Sequence, residues 1–305
     1  VTLTPYQVQL PTGTIAGANT SIGLKSISGL RDLPAIRAQD QERWQGDGAY
    51  PSPAYTGERV LQIVWELTLA TNLEASLSSL AAGFQNVTDP SAVCMTSADY
   101  LTQLASAGTK PVSALTIQLP NRPNPFMVFG RPTKYNAPID ANYQYGQVNV
   151  TSEWTAPDGL LYDGTVNSPS CPVLSSVGNA SFPWTFPVNF GTSVGGSLTA
   201  VNAGTYPASP VYKITGPVTN PKITNAATGQ YIKVNLALQA WDTLTIDTKS
   251  RVIRLNGVNC NSALDIGSAF FTIPAGGASL QFISTGAGTA SGQLTAYTLN
   301  TYSAI

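Results

Sequence analysis

The chain of 305 residues carries 15 basic and 16 acidic side chains, no histidine and three cysteines, with charged residues at 10% and hydrophobic ones at 43%. Without histidine it can build no Ser-His-Asp or Cys-His catalytic centre and no His-containing zinc site. A net charge of -1 and the lack of any Lys/Arg cluster exclude a groove that tracks nucleic-acid phosphates, and the hydrophobic content excludes disorder of the whole chain.

The 27 glycines and 22 prolines point to many short strands joined by turns. Taken in chain order, Arg31 to Arg59 is read as a long charged loop. A strand follows at Val60–Leu69, then a helix over about 72–84, with Leu73, Leu77, Leu80 and Phe84 at intervals of four, three and four. Asn72 is placed to cap that helix, and Glu74 suits the positive end of its dipole. A second short helix is expected at Ser97–Ala107, stopped by Gly108, and strands at Ala114–Leu119, Phe126–Phe129 and Gln144–Val150. Residues 1–165 thus read as a β-rich α+β domain with one or two helices, and the Pro- and Ser-rich stretch 166–178 as a linker.

From 179 to 305 helical periodicity is absent and strands are expected at Tyr231–Ala240, Leu244–Asp247, Val252–Leu255, Phe270–Ile273, Ser279–Ile283 and Gln293–Thr301. Asn256-Gly257 is a hairpin turn signal, since both central residues of a type I′ turn take positive φ. So many short strands hide their apolar faces by packing sheet on sheet, which predicts an antiparallel β-sandwich and a mainly β fold overall. Apolar runs are too short for a membrane-spanning helix, and the first residues lack a signal-peptide pattern, so a soluble protein without obvious export is expected. Four Asn-x-Ser/Thr triplets are read as chance in a chain rich in those residues.

Few residues offer chemistry. Glycoside hydrolysis needs only two carboxyls across a cleft, and Asp158, Asp163, Asp242, Asp247 and Asp265 are the candidates. Their settings, such as Asp158-Gly159, Asp163-Gly164 and Asp247-Thr248-Lys249-Ser250, are ordinary turn sequences, and no calcium-loop spacing is present, so no catalytic residue, metal or cofactor is assigned. Cys94, Cys171 and Cys260 read as reduced core residues, with a single disulfide left open. Trp184, Tyr206, Tyr212, Tyr231 and Trp241 are candidate platforms for a sugar or a partner, although a sandwich core also needs large rings.

One cluster is more informative. Arg31, Asp32, Arg37, Asp40, Glu42, Arg43, Asp47, Glu58 and Arg59 crowd into a segment that also holds Trp44, Tyr50 and Tyr55, residue types that dominate protein–protein contacts. A solvated loop and an interface both fit that composition.

Several stretches, in order, resemble the distal tail proteins of phages with long, non-contractile tails. They are Gly29-Leu30-Arg31-Asp32 with the charged stretch to Tyr55-Thr56-Gly57-Glu58-Arg59 and Val60-Leu61-Gln62-Ile63, the helix of Leu73, Leu77 and Leu80, Phe129-Gly130-Arg131-Pro132, and Trp154-Thr155-Ala156-Pro157-Asp158-Gly159-Leu160-Leu161-Tyr162. In the second half they are Phe182-Pro183, Asn202-Ala203-Gly204-Thr205, Ile214-Thr215-Gly216-Pro217, Leu244-Thr245-Ile246-Asp247-Thr248, Asn256-Gly257 and Phe270-Phe271-Thr272-Ile273-Pro274-Ala275-Gly276. The resemblance implies a non-enzymatic virion protein: a ring of six N-terminal domains that continues the tail tube, and a galectin-like C-terminal sandwich that projects outward. It implies as partners further copies of the chain, the tail tube protein, the tape-measure protein and tail-tip proteins. DNA would pass through the channel without specific binding, no membrane would be bound, and the protein would be assembled in the host cytoplasm and end at the virion tail tip. Arg31, Arg37, Asp40, Glu42, Arg43 and Arg59 are then the candidate subunit-interface residues, because a ring closed head to tail needs two complementary faces per subunit. The alternative is an adhesin that binds carbohydrate through the second domain, with Trp184, Tyr206 and Trp241 as contacts.

Overall fold

A computed structural model describes residues 3–68, 72–85, 113–174, 196–285 and 291–305. Apolar side chains at every second position make strands of nearly half of them. The first part of the chain gives β1 (Gln7–Gln9), β2 (Ile15–Gly17), β3 (Gly23–Ser28), β4 (Ile36–Arg37), β5 (Gln41–Glu42), β6 (Ala49–Tyr50), β7 (Tyr55–Thr56) and β8 (Arg59–Thr68). After the helix α1 (Leu73–Gly83) come β9 (Ser113–Gln118), β10 (Phe126–Asn136), β11 (Gln147–Ala156) and β12 (Leu161–Asn167). By internal contacts the described residues fall into two units, 3–68, 72–85, 113–164 and 301–305 in the first and 165–174, 196–285 and 291–300 in the second.

In the first unit β8 and β11 pair antiparallel along their whole length, from Thr68 opposite Gln147 to Arg59 opposite Ala156. β3 pairs with β8 on its other side. β10 is shared: Phe126–Gly130 pairs with β9, and Arg131–Asn136 pairs with β11, with a register break between Pro132 and Lys134 at the corner. Gly130 stands at that corner because a Cβ there would lie 2.3 Å from the Thr155 carbonyl oxygen and 2.6 Å from Trp154 Nε1. β9 continues through β1 to β2. The inward residues Leu61, Ile63, Trp65 and Leu67 of β8 meet Val148, Val150 and Trp154 of β11, Leu115 and Ile117 of β9, Leu80 of the helix and Phe84 at its C-cap. Phe84 packs edge-on against both Trp65 and Trp154.

The helix forms where its leucine spacing predicts, with Leu80 buried and Leu73 and Leu77 packed on the core. Asn72 does occupy the N-cap, but its side chain makes no capping bond; its backbone carbonyl receives the Ser76 N–H instead. The expected helix at Ser97–Ala107 lies outside the described residues.

The second unit contains β13 (Ser170–Pro172), β14 (Ser197–Ala200), β15 (Val211–Thr215), β16 (Val218–Thr219), β17 (Pro221–Asn225), β18 (Tyr231–Lys233), β19 (Ala237–Leu238), β20 (Thr243–Asp247), β21 (Val252–Leu255), β22 (Val258–Asn259), β23 (Ala278–Ser284) and, as far as Asn300, β24 (Gln293–Tyr302). One antiparallel sheet runs β13-β24-β15-β20-β21-β22 and the other β14-β23-β17-β18. Tyr212, Ile214, Leu244, Ile246, Leu294 and Ala296 from the first share a core with Leu198, Ile223, Leu280 and Phe282 from the second. The mainly β, antiparallel fold read from the sequence is therefore the observed one. Asn256 and Gly257 both have positive φ, and the pair joins β21 to β22 as their dipeptide predicts.

Two predicted strands differ. Tyr231–Ala240 is broken into β18 and β19, because the Leu236 N–H turns back to the Val234 carbonyl, 3.0 Å away. Phe270–Ile273 has alternating burial but, among the described residues, only one bridge, Ile273 with Ala208, and no ladder. Within the stretch read as a linker, residues 166–167 end β12 and 170–172 are β13. Cys171 is buried and Cys260 half-buried; both are free thiols, and burial pushes Cys171 up to about 11. Cys94 lies outside the described residues.

Candidate assembly interface

The segment read as a charged loop is a β-hairpin arm. β4 pairs with β7, Ile36 opposite Thr56 and Arg37 opposite Tyr55; farther out β5 pairs with β6, Gln41 opposite Tyr50 and Glu42 opposite Ala49. Between the two ladders the Asp40 carboxylate accepts the Ser52 N–H at 2.8 Å and its hydroxyl at 3.1 Å. At the tip the Arg43 N–H donates to the Gly48 carbonyl, and the Arg43 guanidinium lies 5.2 Å from the Tyr50 ring centroid. Every residue from 35 to 51 is exposed, Trp44 at 96%. Exposed Leu33, Ile36, Tyr50 and Tyr55 join Trp44 in an apolar set that no part of the first unit's core covers.

The root of the arm is built quite differently. After β3 the chain turns at Gly29, φ 84°, where a Cβ would stand 2.2 Å from the Val60 carbonyl oxygen. Leu30 and Pro34 are buried there. Arg59, where the second leg enters β8, is 2% exposed, and its guanidinium collects carbonyls from both sides. Nη1 donates to Gly29, Leu30 and Asp32, Nε donates to Gly159 at 3.0 Å, and Nη2 donates to Ser303. Burial lowers its pKa, and the charges of Asp32 and Asp158 act in the opposite sense.

The six candidate interface residues therefore separate. Arg31, Arg37, Asp40, Glu42 and Arg43 are exposed on the arm or at its root, and the salt bridges among the described residues, Lys134–Glu153 and Lys233–Asp265, involve none of them. Arg59 belongs instead to the interior. Its guanidinium is buried and donates to carbonyls of its own unit. Sequence reasoning also missed residues 301–305 as part of this unit. Tyr302 packs edge-on against Phe126, and the Arg122 guanidinium lies over both rings, 4.3 Å from Phe126 and 5.2 Å from Tyr302. Composition carries no signal for that return, because Tyr302 reads as one more residue of an alternating strand.

Among the candidate aromatic contacts, Trp241 is 80% exposed, on a turn held by Asp242, which accepts the Gln239 N–H and the Asn256 Nδ2, each at 2.8 Å. Tyr206 is half-buried. Tyr231 lies under the Lys222 ammonium and points its hydroxyl at Asp265. Tyr212 is wholly buried against Phe271, so it is a core ring and not a sugar platform. Trp184 lies outside the described residues.

The aspartates read as candidate acids lie in turns and side-chain clusters. Asp158 accepts the Leu160 N–H and the Tyr162 hydroxyl, and Asp163 accepts from Asn124. Asp247 accepts the N–H groups of Lys249 and Ser250, and Asp265 accepts from Lys233 and Asn235. No group of three or more His, Cys, Asp or Glu that would hold a metal occurs among the described residues.

Residues 203–298 match the family model of the siphovirus-type tail component, C-terminal domain. No curated protein sequence matches the chain. Among solved structures, the Dit protein of phage SPP1, described as a paradigm of the hub adsorption apparatus in phages that infect Gram-positive bacteria, superposes with a TM-score of 0.58 at 14% identity, covering 95% of this chain and 97% of that one. The phage P2 baseplate in its activated conformation with calcium gives a TM-score of 0.45 at 12% identity, over 93% of each chain. Residues 203–298 are thus similar to the C-terminal domain of the siphovirus-type tail component, and the chain has the fold of the SPP1 Dit protein.

Proposed function

We propose that the protein is a distal tail hub: six copies of the first unit close a ring that joins the tail tube to the tail-tip apparatus and leaves a channel for DNA and the tape-measure protein. The second unit, galectin-like in this reading, projects outward and carries the tail-tip partners, and the protein is no enzyme. The observation that carries this reading is the arm. A hairpin of two-residue ladders is marginal by itself in water, yet this one holds Trp44, Ile36, Tyr50 and Tyr55 exposed on a root clamped by Arg59. Such a projection gains its stability by lying on another chain, and a head-to-tail contact of this kind closes into a ring when its rotation permits. A chain of net charge -1 also suits a channel through which DNA slides instead of sticking. Electron microscopy of the purified protein tests the reading: rings with sixfold symmetry and an open centre support it, and isolated globules at every concentration contradict it.

The exposure of Trp241 favours a second reading, a carbohydrate-binding adhesin, since a bare indole beside a hydrogen-bonded Asp–Asn pair offers a face on which a sugar ring stacks. Binding of the full chain to a glycan array, lost in Trp241→Ala, would establish it; an array without signal removes it.

A further inference from the structure

Among the described residues β3 pairs with β8 on one edge only. Along its other side runs a groove of about 390 Å³ lined by the continuous stretch from Leu24 to Asp32 and, across from it, by Tyr6, Ile117, Gln118 and Leu119. At about 3.3 Å per residue the strand part of the first wall, Leu24 to Ser28, is roughly 16 Å long. Its floor is apolar, with Leu24, Ile27 and Leu119 half-buried and Leu30 buried, and its rim carries Lys25 and Arg31 against Asp32. An unpaired strand edge beside an apolar trough is a receptor for extended chain, which adds main-chain hydrogen bonds while its side chains fill the trough.

We infer that the groove along β3 of one copy receives the outer half of the hairpin arm, residues 38–52, of a second copy. This rests on the ring reading and names the face that the arm meets. Three features select that occupant. The arm of the same chain leaves the groove's end at Asp32 and is exposed throughout 35–51, so it does not fill the groove it starts from. The outer arm carries Asp40, Glu42 and Asp47 against Arg43, an excess of acid, whereas the groove rim has an excess of base. The arm also brings two exposed rings, Trp44 and Tyr50, to a trough lined by a single ring, the exposed Tyr6. Arm and groove are different surfaces of one unit, which is the arrangement a head-to-tail ring requires.

Photocrosslinking of the full chain tests this. Trp44→p-benzoylphenylalanine and, separately, Tyr50→p-benzoylphenylalanine are introduced into unlabelled protein, which is mixed with isotope-labelled wild type, irradiated and mapped by mass spectrometry. The expected product joins the unlabelled arm to labelled residues 24–32 or 117–119, and its yield falls at least fivefold when the labelled partner carries Lys25→Glu with Arg31→Glu. Rings whose arm crosslinks map to other residues, or only within one copy, overturn the inference and leave the ring reading standing. Failure of the unsubstituted protein to form rings overturns both.

Discussion

Arg59 Nη2 donates to the carbonyl of Ser303, across 244 residues of chain, while the same guanidinium holds Gly29, Leu30 and Asp32 at the root of the arm. The direction in which the arm leaves the first unit therefore depends on residues 301–305. Arg59→Ala strands five carbonyls around a buried hole. A charge-assisted bond lost from a buried acceptor costs about 1.5–3 kcal/mol, so a stability loss of about 3 kcal/mol or more is expected in urea unfolding. Arg59→Lys recovers little of it, since an ammonium cannot reproduce the fork. Deletion of 301–305 lowers the unfolding midpoint in the same direction.

Charges on the arm act on assembly and not on folding. Glu42→Lys with Asp47→Lys reverses two exposed acids of the arm that make no salt bridge among the described residues, so unfolding stability stays within about 0.5 kcal/mol of wild type. Ring formation, followed by light scattering against concentration, weakens at least tenfold. Unchanged assembly would remove these acids from the interface.

Tyr212 gives a prediction of unusual sign. It is wholly buried, its hydroxyl has no hydrogen-bond partner among the described residues, and burial holds its pKa well above the ordinary tyrosine value. An unpartnered buried hydroxyl costs free energy, so Tyr212→Phe leaves the second unit as stable or raises its stability by about 1 kcal/mol. A marked loss in thermal unfolding would show that the hydroxyl is satisfied.

Gly130 is required by contact, not by conformation. Its missing Cβ makes room for the Thr155 carbonyl and the Trp154 indole where β10 passes from one sheet to the other. Gly130→Ala forces the corner apart and costs about 1–3 kcal/mol, the range for overpacking, read as a shift in the urea midpoint at unchanged m-value.

Asp265 supplies a pH dependence. Hydrogen bonds from Asn235 and Lys233 hold its carboxyl below the ordinary aspartate value. A group depressed in the folded state stabilises above its unfolded pKa, about 3.9, and that contribution fades as pH falls through the folded value. Asp265→Asn therefore flattens the stability profile below about pH 4 and loses its difference from wild type at the acid limit.

Local patterns carried much of the fold. The leucine spacing of the helix, the turn at Asn256-Gly257 and the alternation in β8, β20 and β21 each report on neighbours a few residues away, and each stands where the sequence puts it. Arg59 shows where such reading stops. In sequence it is one more charge in a charged segment, and only the convergence of Gly29, Gly159 and Ser303 makes it an interior residue. The arm was legible as an exposed charged segment but not as a hairpin, because its ladders are two residues long and lack apolar alternation. Tyr212 and Trp241 look alike as aromatic residues flanked by strand; the pairing of β15 between β20 and β24 buries the first, and a turn exposes the second.

Electron microscopy of the purified full chain tests the central claim most directly. Sixfold rings with an open centre are expected, disrupted when Glu42 and Asp47 are both reversed in charge. Single particles without a central hole, unchanged by those substitutions and by concentration, would contradict it.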